Sequence, residues 1–178
     1  MNRSWLIGIA MLLTAAVAVI LPRLASLEPA LQQSRSVETL GRGSTTLAND
    51  NLVDVISKLP FSLDIDSVGW KNQILSLDLK VTGNDHEPQE LYQNMALAVS
   101  FAFQDTENID QLLLRIVAED KWLDSRRLLL AGDIRRKEWS LQLQQELQWA
   151  GNGPLPDRLK KGFRISESEL WRKQFIYP

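Results

Sequence analysis

The chain has 178 residues, no cysteine, a formal net charge of −2, and charged and hydrophobic fractions of 24% and 44%. The lack of cysteine excludes disulfides, thiolate nucleophiles and Cys-based zinc or iron–sulfur sites. The balance of charged and apolar residues is that of a globular protein, and the negative net charge, with no RNP or helix-turn-helix signature, speaks against nucleic-acid binding.

The chain opens on its most apolar stretch, the uncharged run from Trp5 to Leu21. As a helix it spans roughly 25 Å, at the short end for a ~30 Å hydrocarbon layer. Arg3 precedes it, and Pro22 and Arg23 close it. Residues 1–22 therefore read as a transmembrane anchor, with the N-terminus cytoplasmic and the rest extracytoplasmic. A cleaved signal peptide is the competing reading, but Leu24-Ala25-Ser26 is a poor A-x-A site because Leu24 is large. A buried core helix is a third reading, disfavoured because the run has no polar face.

Residues 23–43, with Pro29, Gly41 and Gly43, read as a linker, and residues 44–150 as the folded domain. Leu52, Val55, Ile56 and Leu59 share one face of a helix expected from Thr46 to Lys58, capped by Asn49 or Asp50 and stopped by Pro60. Phe61, Leu63 and Ile65 alternate with Ser62, Asp64 and Asp66; after turn residues Gly69 to Asn72, Leu75, Leu77, Leu79 and Val81 alternate with Ser76, Asp78 and Lys80. This predicts an antiparallel hairpin with one face on a core and one in water.

Pro88 opens the next helix. Its stripe of Leu91, Met95, Ala98, Val99 and Ala102, flanked by Tyr92, Ala96 and Phe103, predicts the most buried helix of the chain. Ile109 to Ile116 and Arg127 to Arg135 read as two more strands. Trp139, Leu143, Leu147 and Ala150 recur at helical spacing, and Gly151 to Pro156 break that helix. Residues 151–178 read as a basic tail with a short helix, announced by the capping box Ser166 to Glu169. The order α-β-β-α-β-β-α predicts an α+β, two-layer domain: a four-stranded, mostly antiparallel sheet with helices on one face, behind the transmembrane helix.

No catalytic motif occurs, so no enzyme is expected, and neither a catalytic residue, a cofactor nor a metal site is assigned. His86, the one histidine, lies in a loop that alone cannot supply the three or four ligands of a metal site. Asp64, Asp66 and Asp78 fall on the wet face of the first hairpin and read as solvated carboxylates; a carboxylate-dependent hydrolase would need them buried together. Six tryptophans are many for this length. Trp122, Trp139, Trp149 and Trp171, with the basic Arg135, Arg136, Lys160 and Lys161, form a candidate partner surface, the alternative being that the indoles close the core edge. Carboxylates dominate from Phe61 to Asp133 and Lys and Arg from Ile134 onward, an asymmetry suited to association.

Glu90 to Phe101, followed by Asn108 to Ile116, resembles the helix-then-strand core of GerM-like and ring-building extracytoplasmic domains of spore-forming bacteria. The resemblance lies in the apolar positions of this one stretch, and it implies a membrane-anchored, non-catalytic α+β domain acting in envelope or sporulation-type assembly. Those domains usually carry one strand before the helix, whereas a hairpin is predicted here, and no functional residue is carried over. The expected function is thus a single-pass anchored protein whose outer domain binds another protein or itself. A small-ligand or lipid site in a cleft between helix and sheet is the alternative.

Overall fold

The structure is a computed structural model and describes residues 45–83, 85–120 and 125–177. The Trp5–Leu21 run, the linker and Trp122 lie outside the described residues. Among the described residues no helix is long and apolar enough to cross a membrane.

The first helix, α1, is confined to Leu52–Ile56. The helix expected from Thr46 fails to start there because Asn51 engages the preceding backbone: its Oδ1 accepts from Ala48 N at 2.8 Å and its Nδ2 donates to Thr46 O. Asn side chains compete with helix in this way. Leu52 and Ile56 are buried, as the spacing predicts.

Strands β1 (Asp64–Lys71) and β2 (Ile74–Val81) form the predicted antiparallel hairpin, but its turn lies later than Gly69–Asn72. Asn72 and Gln73 make the turn with φ of 51° and 65°, the two left-handed residues that a tight hairpin matching the strand twist requires. Trp70 thereby stays in the strand opposite Leu75. A bulge at Asp66 changes the phase, so Val68 and Trp70 join the core side while Ser67 faces Asp78 on the other.

Helix α2 (Pro88–Ser100) runs on as a π turn over Phe101–Asp105. Leu91, Met95, Ala98, Val99 and Ala102 are all essentially inaccessible, as are most of their flanking neighbours. Each fully buried large apolar side chain contributes about 1.5–3 kcal/mol of transfer free energy. Asn94 ties the Pro60–Leu63 approach to this helix, accepting from Ser62 N and Leu63 N and donating to Glu90 O.

Strand β3 (Gln111–Asp120) returns parallel to β2, and β4 (Ser125–Arg135) pairs with β3 antiparallel. A 3-10 turn, Arg136–Glu138, leads to α3 (Leu141–Gln148), whose N-cap Ser140 accepts from Leu143 N. Beyond it lies α4 (Asp157–Gly162), and Gly162 allows close packing because a Cβ there would meet Leu143 Cδ1 at 2.9 Å.

The sheet has five strands, not the expected four, in the order β1-β2-β3-β4-β5. The fifth, β5 (Ser166–Glu167), occupies the first half of the expected capping box and pairs with Leu130 and Ala131. The capping role falls to Ser168, which accepts from Trp171 N and starts α5 (Glu169–Trp171). Residues 151–178 feed the same core through Leu155, Leu159, Phe163, Ile165 and Trp171. The Ser44–Pro178 span is one compact α+β unit. One face of the sheet is packed with Leu75, Leu77, Leu79, Leu112, Leu114 and Ile116. The other face carries Ser67, Ser76, Asp78, Leu113, Arg115 and Asp133.

Candidate functional site

The open face of the sheet is organised by ion pairs that cross strands. Asp78 on β2 accepts from Arg115 Nε and Nη2 on β3, at 2.7 and 2.5 Å, and from Ser67 Oγ on β1 at 2.8 Å. Burial pushes the Asp78 carboxyl up, but hydrogen bonds from Arg115 and Ser67 and the charges of Arg115 and Arg126 outweigh it, leaving it below the usual carboxylate range. Its hydrogen bond to Asp78 correspondingly raises Arg115. Arg126, at the start of β4, reaches Asp66 on β1 with an N–O distance of 2.8 Å. Lys80 pairs with Glu119 at 3.1 Å.

Asp66 and Asp78 are therefore not the solvated carboxylates expected from the strand alternation. Both side chains are shielded, because guanidinium groups from β3 and β4 lie over them; Asp64 stays exposed. At Asp78 burial does not make an acid: held ionised by Arg115 and Ser67, it is the opposite of the raised-pKa proton donor that glycoside hydrolysis uses.

The accessible half of each pair is the cation. The Arg115 side chain is 60% exposed and that of Arg126 61%, while their partners are nearly covered. Arg115, Ser76, Leu113, Asp133, Arg164 and Ser166 line a shallow cleft of about 330 Å³ on this face. Arg164 enters it from the end of α4 with φ of 45°, a left-handed helix terminus, and its guanidinium contacts Glu138 at 2.5 Å. Leu113 stands in the cleft, partly exposed.

The seven described residues of the predicted partner surface do not converge. Trp171 is in the core, edge-on to Tyr92 and stacked on Phe175. Trp139 is half-buried beside Phe103, its Nε1 donating to Gln144 Oε1 at 3.0 Å. Arg136 is structural: it donates to the carbonyl oxygens of Ala102, Phe103, Thr106 and Ile109, and its guanidinium lies over the Phe103 ring. Arg135 sits at the edge of the open face near Asp133. Lys160 is paired with Glu167, and Lys161 is exposed. Trp149 alone among the described tryptophans is strongly exposed, at 80%.

His86 Nδ1 lies 2.9 Å from Glu90 Oε2, and Glu90 also accepts from Ser62 Oγ. Among the described residues no group of three His, Asp or Glu could hold a metal ion. Sequence reasoning placed Asp66 and Asp78 on water-facing strand positions but missed their pairing with Arg126 and Arg115, which depends on strand order. No protein-family model, no curated protein and no solved structure matches the chain.

Proposed function

We propose that this chain is a single-pass membrane-anchored protein whose extracytoplasmic α+β domain acts by binding, without catalysis, an acidic surface of a partner protein through the open face of its sheet. The observation that carries the reading is the asymmetry of the ion pairs there: the carboxylates of Asp66 and Asp78 are shielded, and the guanidiniums of Arg115 and Arg126 are presented. Arginine is enriched at protein interfaces, and its planar fork recognises carboxylates. Leu113, which lines the same cleft as Arg115 and Arg164, supplies an apolar centre for such a contact. The Trp5–Leu21 run supports the tether, since its length and flanks suit a bilayer span.

Site-specific photo-crosslinking of the full chain in its native membranes tests both parts. A photoreactive residue at position 113 should give a discrete adduct, and the same residue at the exposed position 53 should not. Arg115→Gln with Arg126→Gln should abolish the adduct in protein that still shows a cooperative unfolding transition. Absence of an adduct at 113, or equal adducts at both positions, refutes the interaction; protein found free after fractionation refutes the tether.

A further inference from the structure

On the helical side of the domain, α2 and α3 bound a groove of about 440 Å³, within the ~300–1,000 Å³ usual for small-ligand sites. It shares no residue with the cleft on the sheet's open face, so neither proposal depends on the other. Gln93 and Ser100 of α2 and Gln144 and Gln148 of α3 line it, with Pro60 at one side and Trp149 at the end of α3. Ionisable side chains are absent from its lining.

Gln144 is the informative residue. It is only 5% exposed, and its Oε1 already accepts twice, from Trp139 Nε1 at 3.0 Å and Gln104 Nε2 at 2.8 Å. Those two donors fix the orientation of the amide, so its own Nε2 donors are left over on the groove side. They have no hydrogen-bond partner among the described residues. The Nε2 is open to the groove, not sealed from water, so it stands there as an oriented donor available to an acceptor. The Gln93 and Gln148 amides are also without a hydrogen-bond partner among the described residues. The exposed Trp149 indole adds a flat apolar face that the fold does not use, since its burial is not part of the core.

The chemistry of this lining selects its ligand. Phosphates and carboxylates would find no cation, and a wholly apolar ligand would strip water from the Gln144 donor without replacing its hydrogen bond, which costs free energy. A neutral ring that offers C–H groups on its face and hydroxyls at its edge meets both requirements: the face stacks on indole, and hydroxyls both donate to and accept from amides. We propose that the groove binds an uncharged saccharide, with Trp149 stacking on a pyranose ring and Gln93, Gln144 and Gln148 hydrogen-bonding its hydroxyls.

The test is titration of the full chain, held in a detergent without a sugar headgroup, with cellotetraose, maltotetraose and tetra-N-acetylchitotetraose, and with tetragalacturonate as the charged control. Calorimetry and tryptophan emission are the readouts. At least one neutral tetrasaccharide should bind and blue-shift the emission, and tetragalacturonate should not bind. Trp149→Ala should weaken binding at least tenfold, and Gln144→Leu roughly tenfold, as the loss of a buried hydrogen bond implies. Because Trp149 is outside the core, its variant keeps the wild-type unfolding transition and reports on the site alone. Failure of all three neutral sugars to bind, binding undiminished by Trp149→Ala, or preference for tetragalacturonate would each overturn the proposal.

Discussion

The Arg115 guanidinium on β3 grips the Asp78 carboxylate on β2 through two nitrogens, across a parallel strand pair that the sequence separates by the whole of α2. Asp78 lies below its ordinary value of 3.8 because these bonds outweigh the opposing effect of burial. A depressed folded-state value means the contribution to stability is fully present above the unfolded value and is lost as pH falls through the lower, folded one. Glu90 adds the same sign: burial pushes it up, and hydrogen bonds from Ser62 and His86 bring it below the usual range. The protein should therefore lose stability below about pH 4, and Asp78→Asn should flatten this acid limb. Urea unfolding across that pH range measures it.

Removing the cation should weaken the shift. In Arg115→Ala, Asp78 loses its strongest hydrogen-bond and charge partner, and its carboxyl should titrate higher than in the native protein. Carbon-detected NMR titration of the Asp78 carboxyl reads this directly. Because the Arg115 side chain is largely exposed, the stability loss at neutral pH should be moderate, about 1–2 kcal/mol.

Arg136 gathers four carbonyl oxygens where the π turn after α2 meets β3. Arg136→Ala should cost about 2–4 kcal/mol, since helix-end carbonyls lose their donors. Arg136→Lys should rescue little of this, because a single ammonium cannot span the same four oxygens. Chemical denaturation of the three proteins gives the comparison, and a full rescue by Lys would show that charge alone matters.

The hairpin turn offers a stabilising change. Gln73 holds a φ of 65° that a side chain disfavours. Gln73→Gly creates the Asn-Gly pair preferred in such turns and should stabilise by roughly 0.5–1 kcal/mol. The backbone carbonyl of Gln73, which accepts from Asp110 N and Gln111 N, is unaffected by the substitution. A higher thermal midpoint is the expected result.

Two tryptophans should behave oppositely. Trp171, fully buried against Tyr92 and Phe175, should cost about 3–5 kcal/mol on replacement by Ala. Trp149→Ala should change stability by less than about 0.5 kcal/mol, as exposed positions do. Paired melting curves decide this, and equal losses would place Trp149 in the core.

The sequence by itself determined the α+β class, the hairpin-helix-hairpin order and the buried face of α2. These rest on local period: Leu91, Met95 and Val99 repeat as a helix, while Leu75, Leu77 and Leu79 repeat as a strand. Local chemistry was also enough to end α3 near Gly151, whereas α1 stops at Ile56, short of Pro60. Only the tertiary structure decided that Ser166 and Glu167 form a fifth strand, because two residues carry no periodicity of their own and pair only when β4 is beside them. It likewise decided which tryptophans face the core, since spacing puts Trp139, Trp149 and Trp171 on helices or their ends without saying what covers each face. The Asp78–Arg115 pair and the Gln144 amide facing its groove depend on strand order and helix packing, contacts between residues far apart in the chain, and no local pattern encodes them.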